Sequence, residues 1–232
     1  MAAAHAVHRG TRDLVATYIA LNPDIRGALL QAGVPAQRIA VKPNTVVDPG
    51  PPSAPGDRTL FVGRLSEEKG VLLLLDAWES HEDESWGELV VVGDGPLRDE
   101  VSARASRRTD VRVTGLLDAD GVAAEMTGAR VVVVPSTWTE AFPMVLLEAM
   151  ARGRAVIASR LGGLPEIVTP DVGWVVEPEL GSLAAVMAEV AGTPDVAAAK
   201  GAAARRSYEA TYHPDVVTRQ LVAIYESARL PE

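Results

Sequence analysis

Four charged side chains have the types and spacing to bind an anionic ligand that also carries hydroxyl groups. Arg64 and Lys69 lie five positions apart, between a short apolar run and a predicted helix. Two cations there, beside the free N–H groups of a helix start, suit a diphosphate with about two negative charges. Glu140 and Glu148 flank the start of another predicted helix, and carboxylates accept paired hydrogen bonds from the hydroxyls of a ribose or hexose. The alternative that all four are ordinary solvated charges stays open at this point.

The two glutamates are predicted to hold different parts of one ligand. The rise of an α-helix places their carboxyl groups on the order of 10 Å apart, which is too far for a shared proton. Pro143 is predicted to fit the first helical turn, where its missing N–H would have no partner in any case. The N–H groups of Met144 and Val145 would then point into the same crevice as the two carboxylates.

These side chains are embedded in an alternation of short apolar runs and longer helical patterns. Most of the runs are rich in Val and Ile at consecutive positions, which is typical of strands buried on both faces of a parallel sheet. The alternation predicts an α/β fold with a doubly wound, Rossmann-like parallel sheet. The predicted strands are 17–20, 38–42, 59–62, 88–92, 111–114, 131–134, 155–158 and 174–176. The predicted helices are 23–32, 69–79, 96–107, 120–127, 144–152, 183–191 and 214–228, and the chain from residue 194 also has a helical pattern.

Glycine recurs in the loops that follow the predicted strands, at the edge where open parallel sheets bind ligands. Gly63 and Gly93 each follow a strand directly, and glycine there allows tight turns or a close approach to a ligand. One such glycine indicates only a turn, whereas several on one edge favour a ligand crevice. Two nucleotide-binding motifs are absent. The dinucleotide fingerprint is broken because Arg98 stands at the position of its third glycine. The P-loop is absent because Lys69 is followed by Gly70, where that motif has Ser or Thr.

Composition excludes several classes of function. The 232 residues include 22 Lys+Arg and 31 Asp+Glu, for a net charge of −9, which disfavours nucleic-acid binding. There are no cysteines, and the four histidines lack a metal-ligand spacing, so no metal site is predicted. No apolar run approaches the roughly 18 residues that span a bilayer. The first residues lack the apolar core of a signal peptide, so the chain is predicted to be soluble and cytoplasmic.

Taken together, these segments resemble the donor-binding domain of glycosyltransferase family 4, the glycosyl transferases group 1 of the GT-B superfold. The resemblance covers about residues 36 to 190, with matching order and spacing. A pair of glutamates with seven residues between them is a weak signal by itself, but the whole set of motifs is specific. The segments that carry it are 63–70, 91–96, 114–115, 135–150, 156–159, 162–163, 165–166 and residue 173.

The resemblance implies a retaining glycosyl transfer from a nucleotide-diphospho-sugar, which is the donor substrate, with UDP or GDP as the nucleotide. It implies three catalytic residues: Arg64 and Lys69 bind the diphosphate and stabilise its charge as it leaves, and Glu140 hydrogen-bonds the donor sugar. No metal and no other cofactor is expected, because cations and helix ends supply the charge stabilisation.

The resemblance also assigns the residues around the nucleotide. Glu148 would bind the ribose, the backbone near Leu117 would contact the base, and the backbone from Phe142 to Val145 would contact phosphate and sugar. Pro143 stands where many family members have glycine, which removes one N–H donor. The full predicted binding set is Gly63, Gly93, Asp94, Leu117, Phe142, Pro143, Met144, Val145 and Glu148.

The predicted organisation has four parts. Residues 1–47 are a remnant of the end of the acceptor domain with the interdomain junction, and 48–57 are a Pro/Gly linker. Residues 58–193 are the donor-binding domain, and 194–232 are C-terminal helices. Only about forty residues precede the linker, too few for an independent core. The chain is therefore expected to be the donor half of a truncated or interrupted longer protein, or of a split enzyme.

That organisation leaves the partner and the activity open. The acceptor is unknown, and an acceptor-domain chain or a second copy could complete the site. An apolar stripe on the last helix is predicted to be exposed, or covered by a second copy. Its members are Val217, Leu221, Ile224 and Tyr225. Two alternatives remain beside the transferase: a non-catalytic nucleotide-sugar-binding module that acts with a partner chain, and a GT-B sugar-nucleotide epimerase.

Overall fold

The structure is a computed structural model that describes residues 14–81 and 86–228. The described residues form eight strands and nine α-helices. The strands are β1 (Tyr18–Ala20), β2 (Ile39–Val41), β3 (Arg58–Val62), β4 (Leu89–Val92), β5 (Val111–Gly115), β6 (Ala129–Val134), β7 (Ala155–Ser159) and β8 (Gly173–Val176). The helices are α1 (Pro23–Gln31), α2 (Val71–Glu79), α3 (Arg98–Ala105), α4 (Ala119–Thr127), α5 (Met144–Ala151), α6 (Leu164–Ile167), α7 (Leu180–Gly192), α8 (Pro194–Ser207) and α9 (Pro214–Ser227).

Six of the strands form one parallel sheet in the order β5-β4-β3-β6-β7-β8. The chain runs outward from β3 to β5, returns to β6 on the other side of β3, and runs outward again to β8. The direction of winding therefore reverses between β3 and β6. Open α/β sheets bind ligands beyond the carboxyl ends of the strands at such a switch point. The predicted doubly wound α/β sheet is confirmed.

Both faces of the sheet are buried under helices, because successive strand residues point to opposite sides. Leu60 on β3 packs in a cluster with Leu146 of α5 and with Tyr208, which follows α8. The adjacent Phe61 packs in the other cluster, with Leu74 of α2 and others from α7. Burial on both sides is the reason that the strands are continuous apolar runs in the sequence.

Strands β1 and β2 form a separate parallel pair joined through α1. The chain that follows them is fixed to the main body by side-chain hydrogen bonds. Thr45 Oγ donates to the carbonyl of Tyr212 at 2.6 Å, and the guanidinium of Arg205 donates to both carboxylate oxygens of Asp48, at 2.7 and 3.0 Å. The buried guanidinium of Arg154 donates to the carbonyl and the hydroxyl of Ser53. The segment predicted as a linker therefore lies against the sheet domain at several points.

The start of α2 and the place of Pro143 differ from the prediction for local backbone reasons. The helix predicted from residue 69 begins at Val71, because Gly70 has a left-handed φ of 69° that ends a short 3-10 turn over Glu67–Lys69. Pro143 precedes α5 instead of lying in its first turn, since its ψ of 122° is extended. The four-residue helix α6 was not predicted, because it is too short to show a helical period.

The predicted apolar stripe on the last helix is exposed only in part. Val217 is 2% exposed, so the prediction is wrong for this residue, which packs within its own chain. Leu221 and Ile224 are half-buried, and Tyr225 is 63% exposed. A π-helical turn over Tyr208–Tyr212 separates α8 from α9. The first thirteen residues, with His5 and His8, lie outside the described residues.

Candidate functional site

The switch point contains a small cavity that five of the predicted site residues line. Its volume is about 40 Å³, and it lies between the loops that follow β3 and β6. The five predicted residues are Gly63, Lys69, Glu140, Pro143 and Val145. The remaining lining residues are Phe61, Val62, Val133, Val134, Pro135 and Ser136. The sheet order thus brings together residues that lie more than 70 positions apart, with Lys69 and Glu140 separated by 71.

An ion pair between two of the predicted catalytic residues forms the polar part of this cavity. Lys69 Nζ lies 2.5 Å from Glu140 Oε1, with the side chains 34% and 15% exposed. The hydroxyl of Ser136, which is fully buried, donates to the same carboxylate oxygen at 2.8 Å. The sequence assigned Lys69 and Glu140 to different parts of a ligand and did not predict that they pair. It assigned no role to Ser136.

Two other predicted side chains are available for a ligand. Arg64 is exposed, and neither its guanidinium nor the carboxylate of the half-buried Glu148 has a hydrogen-bond or ion-pair partner within residues 14–81 and 86–228. Both lie outside the lining of the small cavity. The separation of about 10 Å between Glu140 and Glu148 stays a prediction from helix geometry.

The loop of residues 136–143, which carries Glu140, is held from both sides. Thr137 N–H donates to the carbonyl of Glu68 at 3.0 Å, and its hydroxyl donates to the carbonyl of Glu67 at 2.8 Å. On the other side, Gly163 N–H donates to the carbonyl of Glu140 at 3.2 Å. These bonds connect the 136–143 loop to the turn that carries Lys69 and to the loop after β7. The position of the Glu140 backbone is therefore determined by the surrounding loops.

Two glycines of this edge are required by contacts between loops. A Cβ at Gly70 would collide with the carbonyl oxygen of Pro135, and a Cβ at Gly93 would collide with that of Gly63. Both glycines also have positive φ angles, of 69° and 143°. Close backbone approach between neighbouring loops accounts for these two glycines without any ligand. The predicted contact of Gly93 with a ligand stays a prediction.

The start of α5 provides unpaired backbone donors. No side chain caps this helix, and the N–H groups of Met144 and Val145 have no acceptor among the described residues. Such an end attracts anions, because its N–H groups carry partial positive charge. The side chain of Phe142 is buried in an edge-to-face contact with Tyr212, with ring centroids 6.1 Å apart. The ring is therefore not free to contact a ligand, and the contact of its backbone with phosphate and sugar stays a prediction.

Two predicted binding residues lie away from the small cavity. Asp94 accepts a hydrogen bond from Gly95 N–H at 2.7 Å and pairs with Arg98 at 3.0 Å. Its carboxylate is thus already paired with Gly95 of the same loop and with the first residue of α3. Leu117 is half-buried against the core, while the adjacent Leu116 is 75% exposed. Their roles toward a nucleotide stay predictions.

A larger cavity of about 750 Å³ lies at the other end of the sheet, between α8 and the loop before β8. Its lining includes Asp171, Lys200 and Arg206, and none of the predicted site residues. It is open and lies away from the switch point, so size alone does not mark the functional site. Within residues 14–81 and 86–228, no group of three His, Asp or Glu could hold a metal ion. In the same part of the chain, no helix is long and apolar enough to cross a membrane.

The fold and the residues at its switch point define a Rossmann-like domain of the GT-B type. The sequence model of the family described as glycosyl transferases group 1 matches residues 56–193. This range is more than half of the chain, and the chain belongs to that family.

Comparisons with individual proteins agree with this assignment. The chain is 33% identical over 180 residues to a phosphatidyl-myo-inositol mannosyltransferase of Mycobacterium tuberculosis, covering 74% of this chain and 47% of that protein. It is 37% identical over 121 residues to a protein described as an uncharacterized glycosyltransferase of Methanocaldococcus jannaschii, covering 50% of this chain and 31% of the other. The chain therefore spans between about a third and a half of these relatives.

Solved structures show the same fold. The Anabaena protein HepE in complex with UDP superposes with a TM-score of 0.83 at 24% identity, over 94% of this chain and 65% of that one. A glycosyltransferase of Rickettsia africae superposes with a TM-score of 0.79 at 20% identity, over 96% of this chain and 68% of that one.

Proposed function

We propose that the chain is the donor-binding half of a glycosyltransferase and binds a nucleoside-diphospho-sugar at the switch point. The observation that carries the proposal is the Lys69–Glu140 pair, which lies beside the uncapped start of α5. A cation and free N–H groups suit the diphosphate, and a carboxylate within the same site suits a sugar hydroxyl. The complex of HepE with UDP, in the same fold, makes UDP the first nucleotide to test.

The ion pair changes how binding is expected to proceed. In the free chain, Glu140 neutralises Lys69 at 2.5 Å. A bound diphosphate competes with Glu140 for the ammonium group, which leaves the carboxylate to accept hydrogen bonds from the sugar. Glu140 therefore opposes the binding of a nucleotide without a sugar and favours the binding of a nucleotide-sugar. This discrimination between the two ligands follows from one shared contact.

The same groups stabilise the charge that develops during transfer. When the bond between the anomeric carbon and the phosphate oxygen breaks, its electron pair moves to the departing nucleoside diphosphate. Lys69, Arg64 and the N–H groups at the start of α5 face that charge, and fixed positive groups of this kind lower the barrier. We propose, from the family resemblance, that transfer retains the anomeric configuration and needs no metal ion.

A second candidate is a nucleotide-sugar-binding module that acts only with a partner chain. The same switch-point residues would serve such a module, and the chain matches 47% of the mycobacterial mannosyltransferase and 31% of the archaeal relative. Under this candidate, an acceptor-domain chain or a second copy of this chain completes the site. The identity of the acceptor depends on that partner. Measuring sugar transfer with and without an added acceptor-domain chain separates the two candidates.

The experiment that tests the donor site is a calorimetric comparison of UDP with UDP-sugars, and then of the GDP and ADP series, on three proteins. Glu140→Gln should bind free UDP as well as the unchanged protein or several-fold more tightly, because Lys69 loses its competing anion. The same variant should lose the preference for the nucleotide-sugar. Glu148→Gln should lower the affinity for UDP and for the UDP-sugar alike by about three- to tenfold, since both ligands contain the ribose.

One variant is expected to change only the preference for the nucleotide-sugar, and the other is expected to change both affinities. General damage to the fold would instead lower both affinities by the same factor in both variants. Equal profiles for the two variants would contradict the division of roles. If the unchanged protein binds none of the UDP, GDP and ADP series, the proposed donor site itself is contradicted.

A further inference from the structure

One buried polar side chain connects the N-terminal segment to the 136–143 loop. Asn22 is 3% exposed and lies at the start of α1, outside the range that the family model matches. Its Nδ2 donates to the carbonyl of Ala141 at 2.6 Å, across 119 positions of sequence. Its Oδ1 accepts from the N–H of Ile25 at 2.8 Å and so caps α1. The amide thus makes one bond within its own helix and one to the residue after Glu140.

The loop after β7 is shaped to admit this contact. A Cβ at Gly163 would collide with Nδ2 of Asn22 and lie 3.0 Å from the carbonyl oxygen of Ala141. The φ of Gly163 is −80°, which any residue adopts, so the space taken by Asn22 and the loop is what requires glycine. Gly163 N–H also donates to the carbonyl of Glu140. Asn22 and Gly163 therefore fix the two consecutive carbonyl groups of Glu140 and Ala141.

We infer that Asn22 is a positioning residue for sugar recognition, which rests on the proposed donor site. By holding the carbonyl of Ala141, it fixes the backbone that aims the Glu140 carboxylate at Lys69 and the sugar. The contact also means that the segment with β1 and α1 controls a loop of the donor site. A shift of that segment relative to the sheet would alter the binding of the sugar before that of the nucleotide.

The test is a pair of affinities, for a UDP-sugar and for UDP, measured on Asn22→Ser and on a matched control. Serine keeps the cap of α1 but is too short to reach Ala141. Asn22→Ser should lower the ratio of UDP-sugar affinity to UDP affinity by about three- to tenfold, the effect of one lost hydrogen bond. Affinity for UDP should change by less than about twofold, since Lys69 and Arg64 are untouched.

Thr45→Val is the control because it removes a bond of the same kind. Thr45 Oγ donates to the carbonyl of Tyr212, also at 2.6 Å and also between the N-terminal segment and the main body. This bond has no atom in the 136–143 loop, and the change to valine leaves in place the edge-to-face contact between the Tyr212 ring and Phe142 of that loop. Thr45→Val should lower thermal stability about as much as Asn22→Ser and leave the affinity ratio unchanged.

A second pair of variants keeps the inference testable if Asn22→Ser is poorly folded. Gly163→Ala should displace the Asn22 amide and lower the affinity ratio in the same way. The double variant Gly163→Ala with Asn22→Ser relieves the collision, so stability should recover while the ratio stays low. Asn22→Asp keeps the cap and the size but replaces the donor to Ala141 with an acceptor, and it should also lower the ratio.

The outcomes distinguish this inference from the proposal beneath it. If the unchanged protein binds no nucleotide-sugar, the proposed function fails and the inference fails with it. If the unchanged protein prefers the nucleotide-sugar and Asn22→Ser keeps that preference, only the role of Asn22 is overturned. An equal loss of the ratio in Thr45→Val would show that general loosening of the N-terminal segment, and not the bond to Ala141, causes the effect.

Discussion

The two edges of the same sheet arrange their charges in different ways. At the amino edge, Arg58, Glu88, Arg112 and Glu125 form a closed network in which each arginine pairs with both glutamates, at distances from 2.8 to 3.3 Å. At the carboxyl edge, Lys69 shares Glu140 with Ser136, while the guanidinium of Arg64 and the carboxylate of Glu148 have no hydrogen-bond or ion-pair partner among the described residues. Both edges are made of the same strands, so strand packing does not produce the difference.

The comparison separates charges that stabilise the fold from charges that are available to a ligand. The amino-edge network is complete within the described residues, and all its members are on β3, β5, α4 or next to β4. At the carboxyl edge, the guanidinium of Arg64 and the N–H groups of Met144 and Val145 have no acceptor among the described residues. Half-buried polar groups are normally paired, so the half-buried Glu148 carboxylate and Val145 N–H are the groups at this edge that a bound ligand would satisfy under our proposal, whereas the exposed Arg64 is solvated in the free chain.

The largest expected effect is the loss of nucleotide binding in Lys69→Met. Lys69 is the cation of the small cavity, and removal of a charge-assisted contact should weaken UDP affinity by about ten- to a hundredfold. Titration calorimetry at low salt measures this UDP affinity. Raised salt should reduce the difference in UDP affinity between the variant and the unchanged protein, because it screens the charge. The double variant with Glu140→Gln removes the unpaired carboxylate and serves as the control for local damage. Unchanged UDP affinity in Lys69→Met would break the comparison at the carboxyl edge.

The next effect is a loss of stability without a loss of binding in Arg112→Met. This arginine donates to Glu88 and Glu125, and its hydrogen bonds to Glu125 and then to Glu88 raise its pKa. Because the side chain is 39% exposed, solvent screening limits the loss to about 1 kcal/mol in the free energy of unfolding. Urea denaturation measures it, and UDP affinity is measured on the same sample. A reduced UDP affinity would show that the amino edge is not purely structural.

The smallest effect concerns the pair between Asp48 and Arg205, which lies at neither edge. Hydrogen bonds from Arg205 hold the pKa of Asp48 below its usual range, outweighing the opposite effect of burial. A lowered pKa in the folded state adds stability above the unfolded pKa, and this is lost as pH falls through the folded pKa. Asp48→Asn should thus be less stable than the unchanged protein by about 0.5–1 kcal/mol at neutral pH.

The pH profile of that difference is the informative part. The difference in unfolding free energy between the unchanged protein and Asp48→Asn should begin to shrink near the ordinary aspartate pKa of about 4. It should continue to shrink at lower pH. Unfolding free energies of both proteins between neutral and acidic pH give the curve, and UDP affinity at neutral pH should be equal in the two. His213 Nε2 also lies 3.4 Å from Asp48 Oδ2, so the decisive range is below the ordinary aspartate pKa. A gap in unfolding free energy that widens below about pH 4 would mean that Asp48 is not held as the carboxylate by Arg205.

Sequence reasoning located the elements well because the strands are buried on both faces. Runs such as those of β4 and β6 are apolar at consecutive positions, and a run of that length is typical of a strand in a parallel sheet. Residues next to strand ends, such as Arg64 and Lys69, were therefore placed at the correct edge. The left-handed Gly70 was the local feature that moved the start of α2.

The contacts at the site could not be predicted in the same way. Lys69 meets Glu140 only because β3 lies beside β6, and strand order is not encoded in local periodicity. The bond from Asn22 to Ala141 spans 119 positions and depends on the space left by Gly163. Gly93 was predicted as a ligand contact, yet a collision with the backbone of Gly63 already requires glycine there. Long-range packing decides such contacts, so they become visible only in the folded chain.

The most direct test of the central claim is a map of the backbone amide signals that move when UDP is added to the protein in solution. The predicted result is that the affected amides cluster in the turn over Glu67–Lys69, in the 136–143 loop and at Met144 and Val145. The amides of Glu88 and Arg112 at the amino edge should not move. Saturating changes confined to the amino edge, or to the cavity around Lys200, would contradict the account, as would the absence of any change at millimolar UDP.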